Sequence, residues 1–428
     1  MRGILAAAGY VPRHRLGLAA VAETFGGTPA KGTRSVASYD EDTTTLGVEA
    51  ARLARRGSPE VALGALWFST AEPAYLDKTN ATAIHAAVGL DPETPALDFG
   101  GALRSGVGAL GAALGSSGPV FVVASGMRTG LPTSADEANG GDGAAALVVG
   151  SDDDGPLLAE HLATASVTAE FLDRWRTPGE LRSQTWEERF GETQYLPLGG
   201  PAWKLALERA GLDAGDVSRV GVTGPHPRAA QALGRKLKAQ GNPLAEVGYT
   251  GAASPLLLLA SMLQTSAAGD VLALVSLADG ADVLLFRVVA PVRPTRSIAR
   301  QIESAVDVPY GRYLAWRGLV RLQPPNRPEP ARPSAAAAAR NVEHKFAFSP
   351  LADVPATVAS FTVDRLVYSP SPPVVFAVLD FDNGDRFACE LTDVDPASVA
   401  IGDRMEMTFR KLFSADGIHN YYWKARPA

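Results

Sequence analysis

From the N-terminus to about Val292 the chain repeats one phrase: a short β-branched, apolar run followed by an Ala/Leu-rich stretch of helical length. That alternation predicts α/β layers. The strands it predicts are Gly64 to Thr70 (GALWFST), PALDF, Pro119 to Ser125 (PVFVVAS), AAALVVG, Arg219 to Gly224 (RVGVTG), VLALVSL and DVLLFRVV. They fall into two halves that close alike. GGDGAAALVVGS (Gly140 to Ser151) ends the first and LADGADVLLFRVV (Leu277 to Val289) the second, each a turn followed by an apolar strand, which hints at duplication. Between the halves lies EFLDRWRTPGELRSQTWEERFGETQYLPLGGPAWKLALERAG, aromatic and charged. It reads as helical with a Pro-Gly break, placed where it could cover a site.

Composition narrows the function classes. A net charge of -6 and a pI near 5.6 argue against a broad nucleic-acid or anionic-membrane surface. No run approaches the roughly 18 apolar residues that span a bilayer, and GYVPRHR interrupts the N-terminal apolar stretch before a secretory segment could form. With Cys389 as the single cysteine, neither an intramolecular disulfide nor a structural Cys-based zinc site is available. The histidines show no metal-like spacing, and GGALRSGVG matches neither a P-loop nor a dinucleotide turn. A cytoplasmic protein without metal or nucleotide cofactor is expected.

From Leu322 the composition changes. LQPPNRPEPARPSAAAAARN reads as an extended linker. Beyond it, apolar and polar residues alternate around turns such as Asn383-Gly384, which predicts a small β-barrel of the five-strand OB kind. Its aromatics could stack bases, but Asp380, Asp382, Asp385, Glu390, Asp393 and Asp395 make nucleic acid an unattractive ligand. The expected boundaries are 1–155 and 156–295 for the two halves, 296–345 for a connecting segment, and 346–428 for the barrel.

Several phrases occur in an order that resembles the thiolase superfamily, in its branch near hydroxymethylglutaryl-CoA synthase. They are GYVPRHRL, GTRSVASYDEDTTTLGVEAARLA, YLDKTNATAIHAAVGL, SGMRTGLPTSADEANGGDGAAALVVG and TGPHPRAAQALGRKL, spread over about the first 290 residues. The resemblance implies two βαβαβαββ halves stacked as a five-layer αβαβα double domain, usually homodimeric, with a coenzyme A thioester as substrate and no other cofactor. The tail resembles the acyl-CoA-associated OB-fold domain that accompanies such proteins, here without the cysteine pairs of its zinc ribbon. Through it a partner hydratase could dock.

Carried over by motif, the family's acyl-accepting cysteine falls on Leu103 and its glutamate base on Ala71, with Glu72 one residue along. The histidine falls on His226 in GPHP and the asparagine on Tyr249 in VGYTGAAS. Leucine forms no thioester, which excludes acyl transfer through that position. Ser105 lies two residues further on, with no base evident beside it. Aldol or retro-aldol chemistry on a β-hydroxyacyl-CoA needs only donors for an enolate oxygen and one acid/base group. His226 and Tyr249 are therefore the expected catalytic residues, and Lys78 and Arg104 the expected contacts to coenzyme A. The plain alternative for His226 is a turn histidine bonded to backbone, and for Glu72 a solvated loop carboxylate. Two other functions stay open: a non-catalytic acyl-CoA-binding scaffold, and a hydroxymethylglutaryl-CoA synthase-like acyltransferase.

Overall fold

The computed structural model describes residues 1–56, 61–180, 182–323 and 349–428. Most of the predicted linker, and His344, lie outside them. The first half runs β1 (Arg2–Tyr10), β2 (His14–Gly17), α1 (Ala19–Phe25), β3 (Thr33–Val36), α2 (Thr43–Arg56), β4 (Ala65–Ser69), α3 (Ala81–Ala87), β5 (Ala96–Asp98), α4 (Ser105–Leu114), β6 (Val120–Met127), α5 (Ala135–Asn139) and β7 (Asp142–Ser151). The second runs β8 (Ala159–Thr168), β9 (Arg174–Trp175), β10 (Gln184–Thr185), α6 (Glu188–Ala210), β11 (Arg219–Thr223), α7 (Pro227–Lys236), α8 (Ser254–Gln264), β12 (Val271–Leu277) and β13 (Gly280–Val288).

Strand order makes the duplication explicit. From the seam outward the first half reads β1-β7-β6-β4-β5 and the second β8-β13-β12-β11, joined where β1 meets β8 at Gly3 and Ile4. Pair by pair the sense agrees: β1–β7 and β8–β13 are antiparallel, β6–β7 and β12–β13 antiparallel, β4–β6 and β11–β12 parallel. The apolar strands pack on both faces. Along β6, Val120, Val122 and Ala124 face the central helices α4 and α8, while Phe121 and Val123 face α2 and α3. On the other side Ala273, Val275, Val283 and Leu285 pack under α6 and α7. The result is the five-layer αβαβα arrangement of thiolases.

One expectation is corrected. The described residues between 170 and 186 are not helical: the short strands β9 and β10 pair across the Pro178-Gly179 turn before α6 begins. The segment after residue 296 is folded as far as it is described, with α9 (Ile298–Glu303), β14 (Val306–Asp307) and α10 (Tyr310–Trp316). β14 pairs with β2, and Tyr310 and Tyr313 bury against Leu16 and Val36. Apolar anchors inside a polar stretch hold it there.

The barrel closes as β15 (Ala356–Asp364), β16 (Val374–Phe381), β17 (Arg386–Leu391), β19 (Ile418–Pro427) and β18 (Arg404–Ala415). It sits on α2 across a seam of buried charge. Arg410 donates to Asp40 at 3.0 Å and Asp393 at 2.7 Å, Lys424 pairs with Asp40 at 3.1 Å, and Arg426 pairs with Glu49 at 3.2 Å. Arg52 lies 4.7 Å over the ring of Trp423.

Candidate active site

The glycine turn that opens α4 meets the segment leading into α8 at closest approach. A Cβ on Gly106 would overlap the Ala252 carbonyl, and one on Gly126 that of Thr250, so only glycine permits the contact. Gly251 turns there with φ +60°. The position its Cβ would take lies 3.6 Å from Leu103 Cδ2, 3.4 Å from Arg128 Cδ and 3.8 Å from Glu72 Oε2. Leu103, Glu72 and Arg128 thus converge on one point, above a residue without a side chain.

Glu72 is not the solvated carboxylate that its loop suggested. Its side chain is 14% exposed and Oε1 accepts from Arg128 Nη1, while buried Oε2 has no hydrogen-bond partner among the described residues. Arg128 is itself held by its backbone N–H, which donates to Asp142 Oδ1 at 2.9 Å. Burial works against its charge, but Glu72 and Asp136 outweigh that and raise its pKa. The β9–β10 flap closes over this pair: Arg176 donates to the Ala71 carbonyl, and Arg174 grips Asp136 in two bonds of 2.7 and 2.6 Å.

Tyr249 faces the same charges. Burial pushes its phenol well above the ordinary range, Arg128 and Arg174 pull it down, and Glu72 pushes it up again. At neutral pH it is a hydrogen-bond donor. His226 caps α7, Nδ1 accepting the Ala229 N–H at 3.1 Å, which places the proton of a neutral ring on Nε2. The ring packs 6.2 Å from Tyr195. A Cβ on Gly191 would collide with Asp173 and lie 3.0 Å from His226 Nε2, so this glycine lets α6 come down over both. Asp173 carries a carboxyl raised by burial and lowered by His226, Arg174 and Tyr195. Tyr195, Tyr249 and Asp279 in turn lie within electrostatic reach of one another.

Arg104 and Lys78 both donate to groups of the protein itself. Arg104 clamps Asp282 with bonds of 2.8 and 2.9 Å and also donates to Thr168 and the Asp279 carbonyl, tying the α4 turn to the second half. Lys78 donates to the Thr79 carbonyl at 3.0 Å and Thr82 Oγ1 at 2.8 Å in the first turn of α3. Arg104→Met is expected to cost about 2–3 kcal/mol in urea unfolding, because Asp282 is left buried without its cation, keeping the Ser166 hydroxyl as a donor. A titration of the same variant with coenzyme A should change affinity less than twofold; a tenfold loss would instead make Arg104 a ligand contact.

Tyr249 also lines a cleft of about 750 Å³ between β11, α7 and residues 239–249, with Gly224, Pro227, Gln231 and Ser254 in its wall and Lys31, Arg219 and Arg235 bordering it. Among the described residues no group of three or more His, Cys, Asp or Glu side chains could hold a metal ion. No helix among them is long and apolar enough to cross a membrane.

Comparison with known proteins agrees with this architecture. Residues 350–410 match the family described as ChsH2, C-terminal OB-fold domain. The hydroxymethylglutaryl-CoA synthase of Thermoplasma volcanium is 28% identical over 349 residues, 75% of this chain and 99% of that protein. That of Thermoplasma acidophilum is 29% identical over 346 residues, 74% and 97%. Among solved structures, MvaS in complex with 3-hydroxy-3-methylglutaryl coenzyme A superposes with TM-score 0.60 at 22% identity, covering 78% of this chain and 94% of that one. The 3-oxoacyl-(acyl carrier protein) synthase III of Pseudomonas aeruginosa gives 0.59 at 18%, covering 68% and 99%. Fold and tail together define the class: a thiolase-like double domain fused to an OB-fold barrel. Within that class the chain is a homologue of the hydroxymethylglutaryl-CoA synthases.

Proposed function

We propose that this protein makes or breaks a carbon–carbon bond beside an acyl-CoA thioester by aldol chemistry, without an acyl-enzyme. The observation that carries the reading is the unpartnered Oε2 of Glu72, set beside a leucine where a nucleophile would stand. In the cleavage direction Glu72 accepts the proton of the β-hydroxyl and the Cα–Cβ bond breaks to a carbonyl. The electron pair passes into the thioester enolate, and the proton returns to Cα to give the shorter acyl-CoA. Nε2–H of His226 and the Tyr249 phenol supply donors for developing oxyanions. The 750 Å³ cleft takes the pantetheine arm, its bordering cations facing the phosphates. Arg104 positions the turn, and Lys78 remains a candidate contact on the loop. The edge strand β5, with Leu97 exposed, is the surface through which two copies would pair, and the face of the barrel turned away from α2 is left for a partner hydratase.

Synthase-like acyl transfer is the competing reading, favoured by the relatives. It needs a nucleophile, and the hydroxyl two residues beyond Leu103, that of Ser105, accepts the Ala102 N–H at 3.2 Å. One experiment separates the readings. Purified protein is mixed with acetyl-CoA and with a panel of β-hydroxyacyl-CoAs, and intact protein and CoA esters are read by mass spectrometry. We expect no acetyl adduct, release of a shorter acyl-CoA and a carbonyl product, and at least a hundredfold loss in His226→Ala. An adduct of 42 Da on the wild-type chain, on the order of one per protomer, would overturn the acyl-enzyme-free mechanism. No turnover and no adduct across the panel would favour the scaffold.

A further inference from the structure

We infer that the OB-fold barrel is a working part of the active site, because its β18–β19 hairpin holds the loop 70–80 that carries Glu72. The connection runs through four bonds. At the hairpin turn the His419 N–H donates to Tyr75 Oη at 2.8 Å, and the two rings lie 5.2 Å apart. One turn down the hairpin Tyr421 Oη donates to Asp42 Oδ2 at 2.8 Å, and the Lys411 N–H donates to the Asp40 carbonyl at 2.8 Å. Those bonds fix the start of α2, whose Thr43 hydroxyl donates to the Glu72 carbonyl at 2.7 Å.

The rest of the loop shows why the tether matters. Its far end is pinned to the body: Asn80 binds the Tyr75 backbone at both ends of its amide and donates its own N–H to Asp98 Oδ2 at 2.8 Å. Between Glu72 and Asn80 the side chains of Leu76, Asp77 and Lys78 are exposed and pack little. A loop with so few apolar contacts depends on its hydrogen-bonded anchors for a fixed position. Two of those anchors, at Tyr75 and at Thr43, trace back to the barrel. Tyr75 and Thr43 are therefore positioning residues: neither reaches the reacting point beside Gly251, and each acts on Glu72 through the backbone.

The inference rests on the catalytic reading of Glu72 only for its effect on turnover, and the test separates the two. Tyr75→Phe and Thr43→Val are each compared with the intact chain by hydrogen–deuterium exchange and by steady-state kinetics, with Thr43→Ser as the conservative control. We expect exchange across residues 70–80 to quicken about tenfold or more while α4, β6 and β7 keep their protection. kcat should fall about five- to tenfold with KM within twofold, and Thr43→Ser should restore both. Unchanged exchange in the loop overturns the tether whatever turnover does. Faster exchange with unchanged turnover upholds the tether and counts against Glu72 as the base.

Discussion

Glu72→Gln lowers kcat by about 10²- to 10⁴-fold while thioester affinity stays within a few-fold, the range expected when a positioned general base is lost. Glutamine is the right replacement because it keeps a carbonyl oxygen for Arg128, whose side chain is only 7% exposed. Alanine would leave that guanidinium buried and unpaired, and its loss of activity would mix chemistry with folding. The sharp readout is the contrast between coenzyme A ester binding by calorimetry and product formation by mass spectrometry. Binding kept and cleavage lost is the signature of an interaction made only in the transition state. Turnover unchanged in Glu72→Gln would make the Glu72–Arg128 pair structural and pass the base role to another carboxyl, with Asp173, raised by burial and in reach of His226, first in line.

The fold was largely legible, and the reasons are local. Runs such as PVFVVAS and VLALVSL are β-branched and apolar enough to allow one reading, and each became a strand. β1 and β8 escaped because RGILAAAGY is mostly Ala and Gly and AEHLATASVT mixes polar residues throughout; both are strands because the seam buries them between neighbours. For the candidate site, the sequence offered only residues in contiguous motifs, as in GPHP and VGYTG. Glu72 looked like a solvated loop residue because Arg128, which buries its charge, is 56 residues away, and the flap residue that covers Ala71 is 105 away. For Arg104 the sequence left a coenzyme A contact and a structural ion pair both open, because Asp282, which it clamps, is 178 residues downstream. Two of the six tail carboxylates that argued against nucleic acid, Glu390 and Asp393, in fact belong to ion pairs at the seam. Pairings set by tertiary contact leave no periodic trace, so composition alone could not find them.

Glu49→Ala costs about 3–5 kcal/mol, the usual penalty for removing one partner of a buried ion pair. Glu49 is the keystone of the seam between barrel and body. Its Oε1 accepts from Arg52 Nη1 at 2.8 Å and from the Phe409 N–H at 3.1 Å, and its Oε2 accepts from Arg426 at 3.2 Å. Burial alone would raise its pKa; Arg52, Arg426 and that N–H outweigh burial and hold it down at about 2, against an ordinary 4.5. The sign follows. A carboxyl depressed on folding adds stability that is complete above its ordinary pKa and is lost as pH falls from 4.5 through about 2. The gap between wild type and variant in urea unfolding should therefore be widest near neutral pH and less than half as wide by about pH 3. Glu41 runs the other way: burial, opposed by Arg410 and reinforced by Asp393, lifts it to about 7, so its contribution weakens as pH rises from 4.5 through that value. The two opposed slopes place the firmest seam at mildly acid pH, and Glu41→Gln should flatten the neutral limb while leaving the acid limb intact. A gap for Glu49→Ala that does not narrow in acid would mean the loss is one of packing, and that the seam is held by Trp423, Phe409 and their apolar neighbours rather than by charge.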